Sequence, residues 1–180
     1  KEELTEILKS IDEEDVPPNF TSFYNQNVLE KEINLTKIKI NNKIIHQSKL
    51  LNYFINDKKY KNIEKDLNNI LSKAKKDKKY YVSTKDLILI ESLKSDGFQV
   101  KKNLESFYTD DSPNMPEDIQ EFINNEDISL VLLRLAEIIG QDDIENIGSE
   151  TLYFIISALN QLNIDRLRNN ILLKVLPLKV

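Results

Sequence analysis

Residues 149–178 read SETLYFIISALNQLNIDRLRNNILLKVLPL, and their spacing decides the fold. Ser149 and Glu150 suit a helix start, and Leu152, Tyr153, Phe154, Ile155, Ile156, Ala158 and Leu159 make the following turns apolar nearly all round. Such a helix belongs in the middle of a core, or else its surplus face meets a partner. Asp165 is placed to cap a last helix that runs to about Val175 and stops before Pro177. Two helices joined by so few residues must run antiparallel.

Outward from this hairpin the same period continues. Residues 127–139 form an apolar helix closed by Gly140, and Pro116 opens a short one over 117–124, with Asp118 favourable near its positive end. Ser83 with Asp86 three residues on forms a capping box for a helix over 85–94, and Gly97 suits the left-handed position that ends it. Ile63, Leu67, Ile70, Leu71 and Ala74 mark one face of another helix. Ile44, Ser48, Leu51 and Ile55, widened by Ile45 and Phe54, predict a helix over 41–56. Residues 101–115 read as a polar loop; 27–33 reads as a short helix, and 35–40 alternates like a brief strand.

Leu4, Ile7, Leu8 and Ile11 repeat at helical spacing until Pro17–Pro18, so 1–18 is expected to be a helix and linker ahead of a helical domain over 19–180, with a possible break at 101–115. A helix already under way at Lys1 suggests the C-terminal region of a longer protein. The expected fold is all-α: stacked antiparallel helical hairpins forming an irregular α-solenoid, with a compact helical bundle as the alternative.

Composition bounds the chemistry. In 180 residues there are 25 Lys and Arg against 30 Asp and Glu, a net charge of −5, no Cys, no Trp and three Gly. Without Cys there are no disulfides, thiolate metal sites or Cys nucleophile. So few glycines rule out the Gly-rich loops that cradle phosphates. No stretch reaches the 18 or so apolar residues that would span a membrane. The chain reads as soluble, with its compartment, cytoplasmic or periplasmic, left open because a signal peptide's place in the gene is not in this sequence. Lys outnumbers Arg 22 to 3, and the richness in Ile, Lys and Asn is what AT-rich codons produce, which lowers the weight of any lysine patch.

Charge is nonetheless segregated: residues 1–20 carry −5, 21–112 carry +6 and 113–180 carry −6. The basic middle peaks at Lys58–Lys79, where Lys58, Lys59, Lys73, Lys75, Lys76, Lys78 and Lys79 stand near Tyr60, Tyr80 and Tyr81. Ammonium groups along one helix face can neutralise phosphates and tyrosines can stack on bases. The apolar stripe of this helix also requires a solvated opposite face, and Arg, the usual base reader, is missing before Arg134. A nucleic-acid or polyanion surface is thus the secondary reading.

The segments KDLILIESLKSDG (85–97), ISLVLLRLAEIIG (128–140) and LYFIISALNQLNIDRLRNNILLKVLPL (152–178) resemble the C-terminal part of a bacterial helical-repeat protein of tetratricopeptide-like style. The signature Trp, Gly, Tyr and Pro positions of that repeat are not present. The resemblance implies a helical scaffold and no activity.

Other candidates are weaker. His46 can serve as a lone general base only if a carboxylate comes near it. The acids at Asp110–Asp111 and at Asp142, Asp143 and Glu145 lack the alternating ligand ladder of a calcium loop. No Gly-x-Ser-x-Gly elbow occurs. With no catalytic motif and no cofactor called for, the sequence predicts a non-enzymatic scaffold or protein-interaction module. Its partner is another protein or the rest of its own chain. The contact residues expected are Leu152, Tyr153 and Phe154, and in the tail Leu176 and Leu178.

Overall fold

A computed structural model of the protein describes residues 38–55, 61–108, 114–140 and 143–178. All of them belong to the compact unit Leu35–Val180. The expected helix and linker at 1–18, the short helix at 27–33 and the acids Asp110–Asp111 lie outside the described residues.

Among the described residues the fold is all-α, and no strand occurs. The helices are α1 (Asn52–Ile55), α2 (Ile63–Lys76), α3 (Thr84–Ser95), α4 (Lys102–Glu105), α5 (Glu117–Asn124), α6 (Ile128–Ile139), α7 (Ser149–Gln161) and α8 (Asp165–Val175). Short 3₁₀ turns cover Ile45–Gln47, Lys49–Leu51 and Ile144–Asn146. Of the strand expected at 35–40, the described part is one antiparallel bridge between Lys39 and Leu178.

The core is built around α3. Its capping box is complete: Ser83 Oγ accepts from Asp86 N, and the Asp86 carboxylate accepts from Ser83 N. Leu87, Ile88, Leu89, Ile90 and Leu93 are all buried, together with Asp86 and Ser92, so the helix is covered nearly all round. The Ser92 hydroxyl is satisfied by donating to the Ile88 carbonyl at 2.8 Å. The most extensive helix pairing is α3 on α7, which contributes Leu152, Ile155, Ile156, Ala158 and Leu159. On α2 the buried apolar residues are Ile63, Leu67, Ile70, Leu71 and Ala74, the stripe read from the spacing.

Three helices end in the same way. At Gly97, φ is +91°; its N–H reaches Lys94 O, and Phe98 N–H reaches Leu93 O at 3.1 Å. That pair of bonds is the Schellman closure, and it needs a left-handed residue at that position. Glu126 after α5 and Asn163 after α7 occupy the same place with φ of +60° and +54°. There the Asp127 and Ile164 N–H groups bond back to Phe122 O and Leu159 O. These turns reverse the chain within two or three residues, which makes α5–α6 and α7–α8 tight hairpins.

The single helix expected over 41–56 does not form. Two 3₁₀ turns and the one-turn helix α1 replace it, because side chains capture the backbone donors an α-helix would use. Ile45 N–H goes to the Tyr80 hydroxyl at 2.8 Å and His46 N–H to Asp86 Oδ1 at 2.9 Å. Lys43 N–H and Lys49 N–H go to the side chains of Asn41 and Asn42. Ser48 is extended, with ψ 174°, and its buried hydroxyl donates to Ile45 O and accepts from Leu50 N–H. The 101–115 segment also departs from a plain loop, since it contains α4 and buries Leu104 and Tyr108.

The two ends of the described chain meet. Helix α8 packs on both α7 and α1. Lys85 on α3 donates through Nζ to Val175 O at 3.0 Å, and Leu176 is buried.

Leu89 is fully buried at the centre of this arrangement, while Leu133 on α6 is 53% exposed. Leu89→Ala is expected to destabilise the protein by about 2–5 kcal/mol and Leu133→Ala by about 0.5 kcal/mol, compared by urea unfolding.

Candidate functional site

The described residues with the chemistry nearest to catalysis are His46, Asp86, Tyr80 and Ser83. The capping box sets Asp86 at the start of α3, and the 3₁₀ turn Ile45–Gln47 sits against that helix. His46 Nδ1 lies 2.7 Å from Asp86 Oδ1, so the carboxylate that the lone histidine needed is present. Asp86 Oδ2 accepts from the Tyr80 hydroxyl at 3.1 Å and from Ser83 N–H at 2.9 Å. With His46 N–H added, four donors converge on a carboxylate that is almost completely buried.

Burial pushes the Asp86 carboxyl up, but the hydrogen bonds from the His46 ring, the Ser83 N–H and the His46 N–H, with the charge of His46, outweigh it and hold it below the ordinary carboxylate value. The Tyr80 hydroxyl moves well up, chiefly through burial and secondarily through the charge of Asp86, against a lowering bond to Ile45. This phenol stays protonated at neutral pH.

The geometry is that of a latch rather than a catalytic triad. In a triad the carboxylate and the nucleophile face opposite nitrogens of the imidazole. Here Ser83 Oγ is 3.4 Å from Nδ1, the same nitrogen that faces Asp86, and Ser83 Oγ already caps α3. The other nitrogen, Nε2, lies 3.4 Å from the Gln47 amide. The cluster fastens the 44–48 segment to the start of α3.

A second polar cluster centres on Arg168, whose surface is 1% exposed. Its Nη1 and Nη2 donate to the two oxygens of Asp96 at 2.8 and 2.9 Å, the paired geometry in which guanidinium and carboxylate match. Nη1 also donates to Asn160 Oδ1, while Nε and Nη2 share Asn169 Oδ1. Asp165 stands 3.3 Å from Nη1, and the guanidinium lies 5.8 Å from the centre of the Phe54 ring. One side chain thereby joins α1, the end of α3, α7 and α8. The sequence signal was the residue type: in a chain that uses Lys almost throughout, an Arg marks a place where the planar fork is needed.

Between α3 and α7 runs an open groove of about 350 Å³, lined by Ile88, Glu91, Lys94, Tyr153, Ser157 and Asn160 among others. Among the described residues, no group of three or more His, Cys, Asp or Glu is arranged to hold a metal ion. Likewise, no described helix is long and apolar enough to cross a membrane.

The expected contact residues are dispersed. Leu152 and Leu176 are core residues, each about 1% exposed, so packing within this chain already uses them and neither is free to meet a partner. Tyr153 and Phe154 are half-buried, Tyr153 on the groove wall. Leu178 is partly exposed and bridged to Lys39. Lys73, Lys75, Lys76, Lys78 and Lys79 are exposed; Lys58 and Lys59 lie outside the described residues.

The surface that the sequence reading missed is on α6. Ile128, Leu130 and Leu133 are 46%, 44% and 53% exposed, while only Val131 and Leu135 of this helix are buried. Its one substantial packing neighbour among the described residues is α5. The signal was available: within 128–139 only Arg134 and Glu137 are charged, so α6 is apolar on more sides than one neighbour can cover. Arg134 holds the polar edge, 2.8 Å from Asp118 on α5 and 3.1 Å from Glu137.

No family model, curated protein or solved structure matches the chain. The likeness to helical-repeat proteins therefore rests on the residues quoted for it.

Because Asp86 titrates lower when folded than when unfolded, the folded state binds fewer protons just below the ordinary carboxylate value, about 4. Its stabilisation is complete above that value and is lost as pH falls through the folded one. Asp86→Asn is expected to cost about 2–4 kcal/mol near neutral pH and to flatten the decline in stability below about pH 4, followed by urea midpoints across the acid range.

Proposed function

We propose that this chain is a non-enzymatic protein-interaction module, and that its contact surface is the outward face of α6. The observation that carries the reading is the exposure of Ile128, Leu130 and Leu133 on a helix with one substantial neighbour among the described residues. Isolated exposed leucines are ordinary; Leu130 and Leu133, three residues apart, share the side of α6 away from buried Val131 and Leu135 and form a small apolar patch of the kind that marks association, with Ile128 exposed at the helix start. Completing the burial of each would contribute on the order of 1 kcal/mol. The Asp118–Arg134–Glu137 group provides a polar rim beside the patch. An amphipathic helix of a partner protein, its apolar positions spaced three and four apart, is the occupant that such a face accepts.

Of the two helical arrangements, the compact bundle has more support than the open solenoid. In a solenoid each repeat touches only its sequence neighbours. Here α8 packs on α1, and Lys39 bridges to Leu178. A bundle of this kind offers its free helix faces, rather than a long concave groove, as binding surface.

A photoreactive phenylalanine analogue placed at position 133 is expected to give discrete protein adducts in cells, and Leu130→Glu should suppress them. The same probe at exposed Asn69 on α2 should give none of those adducts. Identical adducts at both positions, or none at 133, would overturn the reading.

A further inference from the structure

The lysines of α2 do more than solvate one helix. Lys73, Lys75 and Lys76 stand at its C-terminal end, and the turn that follows adds Lys78 and Lys79, all exposed. Chain folding then brings Lys101 and Lys102, also exposed, to the same edge. Asn68 fixes that approach: its amide donates to Glu64 O and Gln99 O, and its Oδ1 accepts from Lys101 N–H at 2.9 Å. Lys75 Nζ reaches Asn103 O at 2.6 Å, and α4 packs on α2.

The acids along this edge are few and partly committed. Glu64 accepts from Gln99 N–H and Asp66 pairs with Lys49, which leaves Asp77 and Glu105. None of Lys73, Lys76, Lys78, Lys79, Lys101 and Lys102 forms an ion pair among the described residues. Two residues beyond Lys79, Tyr81 is 83% exposed. Its neighbour Tyr80 is held inward by Ile45 and Asp86, so the chain turns one tyrosine into the latch and leaves the other in solvent.

From this juxtaposition of uncommitted lysines on two segments with a solvent-facing aromatic ring, we infer that the α2–α4 edge binds single-stranded nucleic acid. Ammonium groups match a phosphate backbone, and a free tyrosine ring offers a stacking face to any unpaired base. A lipid surface fits less well. An interfacial helix needs an exposed apolar row, and the apolar residues of α2 are all turned into the core. The acidic balance of the whole chain does not prevent binding, because charges farther off than about 8 Å are largely screened at physiological salt.

Fluorescence polarisation of a labelled oligothymidylate tests the inference. Binding by the 180-residue chain is expected to weaken linearly in log–log form between about 50 and 200 mM salt, with a slope near −3 for about four phosphates. Combined Lys76→Glu, Lys78→Glu and Lys101→Glu should abolish binding while circular dichroism and the melting transition stay unchanged. Tyr81→Ala should lower affinity about tenfold, and Tyr81→Phe should retain it. Wild-type affinity in the triple variant, or an unchanged Tyr81→Ala, would overturn the inference. So would tighter binding to phosphatidylserine-rich vesicles than to the oligonucleotide.

Discussion

The guanidinium of Arg168 donates to both oxygens of Asp96 and to Asn160 and Asn169 in a place that water scarcely reaches. A buried charge is tolerable only when its donors are all matched, and here each of the three guanidinium nitrogens has an acceptor. The pairing constrains everything around it. Asp96 is the C-cap of α3, Asn160 lies in the last turn of α7, and Arg168 and Asn169 belong to α8. The Schellman turns at Gly97 and Asn163 set the chain directions on either side. With those directions fixed, α8 falls back on α1 and the described chain closes on itself. The His46–Asp86 latch makes a similar fastening at the opposite end of α3.

Both polar clusters fasten the fold at the two ends of α3. Each titratable group in them is occupied by a structural partner. Asp86 accepts from four donors, and Ser83 is consumed in capping. Among the described residues, exposed surface of a different kind lies elsewhere: the leucines of α6, and the lysines of the α2–α4 edge with Tyr81. One is apolar and near acidic segments, the other cationic, which matches the uneven distribution of charge along the chain.

Local signals were legible in the sequence and distant ones were not. The stripe of α2, the Ser83–Asp86 box and the left-handed Gly97 all depend on residues within one or two turns, and all three are present. The 41–56 segment carries an equally clear helical spacing, yet its donors are captured by Tyr80 and Asp86, 35 and 40 residues on. No window along the sequence contains that competition. Likewise, Arg168 and Asp96 are 72 residues apart. On α7, Leu152 belongs to a helix apolar nearly all round, and that it is buried depends on pairing with the distant α3, which no local spacing contains. The exposed face of α6 was legible in composition, but deciding which apolar helix stays half-covered requires knowing that α5 is its one substantial neighbour among the described residues.

The closure of the fold through Arg168 is tested most directly by a double-mutant cycle on urea unfolding with Arg168→Met, Asp96→Asn and the pair together. Each single change is expected to destabilise by about 3–5 kcal/mol, since it strands a buried partner. The double variant should recover at least about 2 kcal/mol of the summed loss. Additive effects within about 0.5 kcal/mol, or single changes that leave stability untouched, would contradict the account.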